Sequence, residues 1–321
     1  MFVMSDIFDL KQITEKRWIW NWRERLVGGI AIHGTDYPGA EAAARFVVAA
    51  AEVCGLQDQL PAAGYKVHWD ELSAHVEQSA ISELARGTLP GASQADCVYA
   101  EGSQGSVNAH DVVNYGGGVD AVPRMLADHE LINDYPSRAF DGDFLFPLDG
   151  QGPERAEILL RLAAEILGAE YGYYFVRDAF ANPQFYLRGI GGPVDRSRLA
   201  RADQAEARLW NEFVRSGELW NGPWPQLRDI FAVNLLSERH LWADLEALDG
   251  RLDTWITTEP GRGRLTTVGE DRVLWTLTDD EIHAVRPVLW DATLMRTCMP
   301  RVYRDLPYAR QRPDPETCRV D

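Results

Sequence analysis

Apolar positions follow two periods along this chain, and the longest stretch of mutually consistent elements runs from Phe140 to Val233. Phe140, Leu145 and Phe146 lie among Asp141, Asp143 and Asp149 in a run too short for a helix, which predicts a strand. Gln151-Gly152-Pro153 ends it. Ile158, Leu159, Leu162 and Ile166 then recur at helical spacing, with Pro153 and Glu154 suited to a first turn and Gly168 to a stop. Aromatic runs at 171–176 and 184–190 flank Asn182-Pro183 and predict a β-hairpin. A second amphipathic helix is expected over 198–216 on Leu199, Ala202, Leu209, Phe213 and Val214, and a last strand over 227–236. The order βαββαβ defines a ferredoxin-like split unit with both helices on one face of its sheet, in a protein of α+β class.

The flanking regions read less evenly. Thr14 to Leu26 mixes Trp18, Trp20 and Trp22 with basic residues. That composition suits a membrane surface or a partner, and better suits a core element with inward rings and snorkelling Arg23 and Arg25. Ile30 to His33 predicts a short strand, Ala40 to Val53 a buried Ala-rich helix, Asp70 to Ala85 a more polar helix, Cys97 to Ala100 a strand, and Val122 to Leu131 a helix. Gly116-Gly117-Gly118 is expected to be a flexible turn, because the lysine and hydroxyl of a phosphate loop are missing. Asn133 to Ser137 gives the best boundary between a helix-rich N-terminal region, 1–136, and an α+β domain, 137–321. That domain closes with a small αββα extension: short helical segments, strands over 261–268 and 273–277, a helix from the capping box Thr278/Glu281 to Trp290, and a loose tail after Pro300.

Composition narrows the function. At 321 residues with 45% hydrophobic side chains the chain fills a full core, and its net charge is −17. General repulsion then disfavours nucleic acid and anionic membranes and is compatible with a basic protein partner. Cys54, Cys97, Cys298 and Cys318 have neither zinc-site nor disulfide-framework spacing, and no apolar run reaches transmembrane length, so a reducing cytoplasmic setting is expected.

Chemistry is sparse by motif. The chain carries no nucleophile elbow, HExxH helix or calcium loop, so no metal and no cofactor is expected. His75 lies four residues from Glu71, with His68 and Asp70 nearby, but no further His at matching spacing completes a metal site. Asp279-Asp280-Glu281 with His283 answers the helix dipole and the capping box. Asp141 and Asp143 share one strand face, either as an acid/base pair or as charges guarding an edge.

Two functional classes follow. The first is a non-catalytic cytoplasmic binding protein, such as an immunity or antitoxin-like inhibitor of a basic partner. Its contact surface would be the aromatic hairpin and adjoining Trp loop: Tyr173, Arg177, Asp178, Phe185, Arg188, Trp220 and Trp224. The second is a hydrolase or transferase whose dispersed site draws on His33, His110, Asp111 or His240.

Overall fold

The computed structural model describes residues 26–58, 62–66, 74–76, 83, 85–87, 97–104, 113–121, 139–148, 150–178, 186–187, 210, 213–214, 219, 226–292 and 295. Among the described residues, ten strands form one antiparallel sheet. In chain order they are β1 (Leu26–Gly34), β2 (Ala62–Lys66), β3 (Ala74–Val76), β4 (Cys97–Gln104), β5 (Val113–Ala121), β6 (Phe140–Pro147), β7 (Tyr171–Asp178), β8 (Val233–Ser237), β11 (Arg264–Val268) and β12 (Arg272–Thr276). A small separate hairpin, β9 (Asp244–Leu245) with β10 (Gly250–Arg251), sits between β8 and β11. Across the sheet the order is β11-β12-β8-β7-β1-β6-β5-β4-β2-β3. The mixed α+β class therefore holds.

One face of the sheet is closed by two helices, α1 (Ala40–Cys54) and α2 (Gly152–Leu162), the latter continued by a π-helical turn over Ala163–Leu167. Alanine gives α1 high helix propensity and a smooth surface, and Ala43, Ala44, Val47 and Ala50 are fully buried beneath it. Gly55 stops the helix at φ 64, in the left-handed region, where its N–H and that of Leu56 return to the Glu52 and Ala51 carbonyls. Ile30, Ile32, Phe144, Phe146, Val119, Val98, Leu159 and Leu160 fill the layer between sheet and helices. The fit is close. A Cβ at Gly172 would lie 2.7 Å from Leu160 Cδ2, so the absence of a side chain there lets α2 approach β7.

A ferredoxin-like unit is not formed by the described residues. β6, α2 and β7 do make a split βαβ crossover, but β1 comes from the N-terminal region and pairs antiparallel to both β6 and β7. The expected division at 136/137 therefore does not divide the sheet: β1 is bonded on either side to strands beyond it. Tyr186 and Leu187 are helical, where the second hairpin strand was expected. Trp210, in the expected second helix, packs against His33, Tyr171 and Tyr173 on the face opposite α2. Both helices were expected on one face of the sheet, and the position of Trp210 on the other face overturns that.

Among the described residues, the N-terminal region supplies five strands, β1 to β5. Ala74–Val76 is a strand inside the predicted 70–85 helix, and Gly116 to Gly118 lie within β5 rather than in a turn. A Cβ at Gly117 would stand 2.1 Å from the Asp143 carbonyl oxygen, so these glycines let β5 and β6 approach closely. The C-terminal extension matches more nearly. Helices α3 (Glu238–Leu241) and α4 (Leu252–Thr258) precede β11 and β12 in the chain and α5 (Asp279–Asp291) follows them, and β12 joins the main sheet beside β8 with β11 outside it. The Thr278/Glu281 capping box is present, with both reciprocal bonds made. The Thr14–Leu26 stretch up to Arg25, the predicted helix at 122–131 and the tail after Pro300 lie outside the described residues.

Candidate functional site

On the helix-free face, the strand register aligns Cys97, Asp120, Asp141, His33, Tyr171 and Leu236 in one row across β4, β5, β6, β1, β7 and β8. The next row on the same face carries Tyr99, Gly118, Asp143, Ala31, Tyr173 and Asn234. Alternation along each strand brings these residues to one side. The signal in the sequence was the Tyr171, Tyr173, Phe175 spacing and the Asp141/Asp143 pair.

His33 is the centre of the first row. Its Nδ1 lies 2.7 Å from Asp141 Oδ1 and the residue is 5% exposed. A carboxylate can only accept, so with Asp141 in that form Nδ1 donates. Nε2 is buried and makes no hydrogen bond among the described residues. Rings surround it instead: Tyr171 stacks with centroids 5.7 Å apart, and Trp210 meets it edge-on at 5.7 Å. A His–Asp pair can orient an imidazole for proton abstraction, but chemistry also needs a nucleophile or a substrate atom within reach. Among the described residues none is bonded to His33 Nε2.

Asp143 is buried beside Asp141. Burial, reinforced by the Asp141 charge, pushes its carboxyl up to about 7, while the backbone of Gly118 partly offsets this. β6 lies between β1 and β5, so these two acids guard no edge. A carboxyl that is half-protonated near neutral pH could serve as acid or base, and equally it can be a buried group left neutral because charging it costs solvation.

His240, the other candidate base, is fully buried in α3. Its Nδ1 accepts from the Ser237 hydroxyl at 2.9 Å and from the Ser237 N–H at 3.3 Å, which makes it part of a helix cap. Its ring stacks on Tyr171, centroids 5.2 Å apart. Burial, with Arg239 adding to it, lowers its pKa to about 3, so it is neutral and caps rather than shuttles. His33 and His240 thus stand on either side of Tyr171. His110 and Asp111 lie outside the described residues.

Periodicity did not find Arg228. Its guanidinium donates to the Tyr173 hydroxyl at 2.7 Å and to the Tyr186 carbonyl at 2.8 Å, and lies 3.7 Å over the Tyr186 ring. Arg177 sits 3.7 Å from that same ring's centroid, so Tyr186 contacts two guanidinium groups. The backbone N–H of Arg228 donates to the Tyr171 hydroxyl at 2.8 Å. Tyr171 and Tyr173 of β7 are thereby tied to the segment that covers this face. No local motif marks such an arginine; only a long-range contact does.

Of the residues expected at a contact surface, Tyr173 is fully buried, stacked on Phe231 with centroids 4.5 Å apart. Arg177 is half-buried at the far end of β7, and Asp178 ends that strand opposite Leu26. Phe185, Arg188, Trp220 and Trp224 lie outside the described residues, as do His68 and Glu71; His75 is placed in β3 by its backbone. No group of three or more potential metal ligands occurs among the described residues, and no helix among them is long and apolar enough to cross a membrane.

No protein-family model matches this sequence, and no curated protein matches it either. Among solved structures, the chain is similar to a Pseudomonas aeruginosa T6SS protein at 14% identity and a TM-score of 0.49, over 85% of this chain and 73% of that one.

Proposed function

We propose that this protein is a non-catalytic binding protein that acts on a more basic protein, in the manner of an immunity or antitoxin-like inhibitor. What carries the reading is how charge is used. The net charge of −17 is borne by a surface on which Glu41, Glu52, Glu83, Glu154, Glu165, Asp244, Glu246, Asp249, Glu270, Asp279 and Asp280 are exposed. Among the described bases, Arg45, Arg86, Arg239, Arg251 and Arg264 are exposed, whereas Arg228 and Arg286 are buried and Arg262 and Arg272 bond acids and carbonyls of this chain, so exposed acids outnumber exposed bases. Such a surface speeds encounter with a cationic partner and rejects anionic ones. Arg177, Asp178, Phe185, Arg188, Trp220 and Trp224 remain the proposed contact residues, with Tyr173 supporting them from the interior.

Affinity capture from the native host at low and high salt, with Trp224→Ala beside the wild type, tests this. A partner of high isoelectric point should be retained at low salt, released at high salt and weakened by the substitution. Recovery of no basic partner, or an unaltered complex with Trp224→Ala, overturns it. The alternative class, a hydrolase or transferase, rests on the His33–Asp141 pair. It predicts turnover that His33→Gln abolishes while the folded state persists.

A further inference from the structure

The two edges of the ten-stranded sheet differ. β3 is three residues long, and short edge strands are one way in which sheets avoid pairing with other chains. β11 ends the other side with Arg264-Leu265-Thr266-Thr267-Val268, which contains no proline, no lysine and no inward-pointing charge. Among the described residues no strand pairs with its outer side.

The outer groups can be identified. In an antiparallel ladder, alternate residues turn both backbone groups toward the partner strand and the others turn both away. The Thr276 hydroxyl, on β12, reaches the Arg264 carbonyl, whereas the Arg161 guanidinium reaches the Thr267 carbonyl from α2, each at 3.4 Å. Arg264, Thr266 and Val268 therefore pair with β12, and Leu265 and Thr267 face outward.

We propose that β11 is a self-association edge, on which a second copy of this chain docks its own β11 antiparallel about Thr266 to give a continuous sheet across two molecules. The register is self-complementary. Centred on Thr266, it sets the outward Leu265 opposite the partner's Thr267 and the outward Thr267 opposite the partner's Leu265, so each docking group meets a docking group. Charge agrees locally: the exposed Arg264 comes beside the partner's Val268 and the adjoining turn that carries the exposed Glu270. Repulsion between two copies of charge −17 opposes association at distance, but falls off beyond a screening length of about 8 Å at physiological salt. The same two-fold pairing would displace Arg161 from the Thr267 carbonyl and replace a long, exposed bond by ladder bonds.

Sedimentation velocity of the full chain over a concentration series is the experiment, with hydrogen exchange at the Leu265 and Thr267 amides. The wild type should dimerise, and those amides should exchange more slowly as dimer forms. Thr267→Pro removes an outward N–H that β12 does not use, so it should raise the dimer dissociation constant about tenfold or more with the monomer still folded. Arg264→Glu should also weaken the dimer, and adding Glu270→Arg should restore it. A monomeric wild type, slow exchange at both amides without dimer, or a dimer indifferent to Thr267→Pro overturns the proposal.

Discussion

Asp143 lies two residues along β6 from Asp141 on the same sheet face, and the second carboxyl is what makes ionising the first still harder. Burial raises the folded-state pKa to about 7 from 3.8. Between those values the unfolded chain loses the proton and the folded chain holds it, so this residue lowers stability progressively as pH rises from about 4 to about 7. Below that window it costs nothing. The full cost above pH 7 is on the order of 4 kcal/mol. Denaturant unfolding of wild type and Asp143→Asn across that range should show the variant gaining relative stability as pH increases. Parallel curves would contradict the buried, proton-holding carboxyl.

His240 acts in the opposite direction. Its pKa is lowered to about 3 from 6.5, so the unfolded chain takes up a proton first as pH falls. The stability it provides is complete above pH 6.5 and is lost between there and about 3. His240→Asn should flatten this acid limb, and NMR of the labelled imidazole should show a neutral ring at pH 5. A ring that titrates near its ordinary value would refute the assignment.

The half-buried Asp229 and the buried Arg286 form an ion pair, with the guanidinium also donating to the Ile230 carbonyl at 3.4 Å. Removing one partner strands the other. Asp229→Ala should destabilise the protein by about 3–5 kcal/mol, and the double change Asp229→Leu with Arg286→Met should recover much of that. Chemical denaturation of the three variants measures it; an Asp229→Ala protein as stable as the wild type would show that the pair contributes nothing.

Gly117 faces the helix side of the sheet, where a methyl group would meet the Asp143 backbone rather than a side chain that can turn aside. Gly117→Ala should therefore prevent β5 and β6 from closing and lower the thermal midpoint by several degrees, corresponding to roughly 1–3 kcal/mol. Gly150→Ala is the contrast: φ is 91 there, but the space around a Cβ is open, so strain acts without a clash.

Local pattern found the elements whose signals are local. The Ala-rich α1, the capped α5, and the strands around Ile30 and Phe144 follow from periodicity and caps. Sheet order did not, because β1 is placed by hydrogen bonds to strands more than a hundred residues away. The glycine triplet misled for a physical reason: composition suggests freedom, while its role is closeness of two backbones. His33 and Asp141 were each visible as polar residues in strands, yet their meeting depends on register. Arg228, buried among three aromatic rings, carried no sequence signal at all.

The place of β1 also bears on how the chain is made. During synthesis, this strand meets none of its partners among the described strands until β6 appears, with Asp141 following His33 by 108 residues, and it is enclosed only when β7 arrives later still. Until then an apolar strand with two bare edges is held in an unfinished chain. Synthesis at roughly 5–20 residues per second makes that wait many seconds long, which is an interval in which a chaperone or a neighbouring nascent chain can claim it.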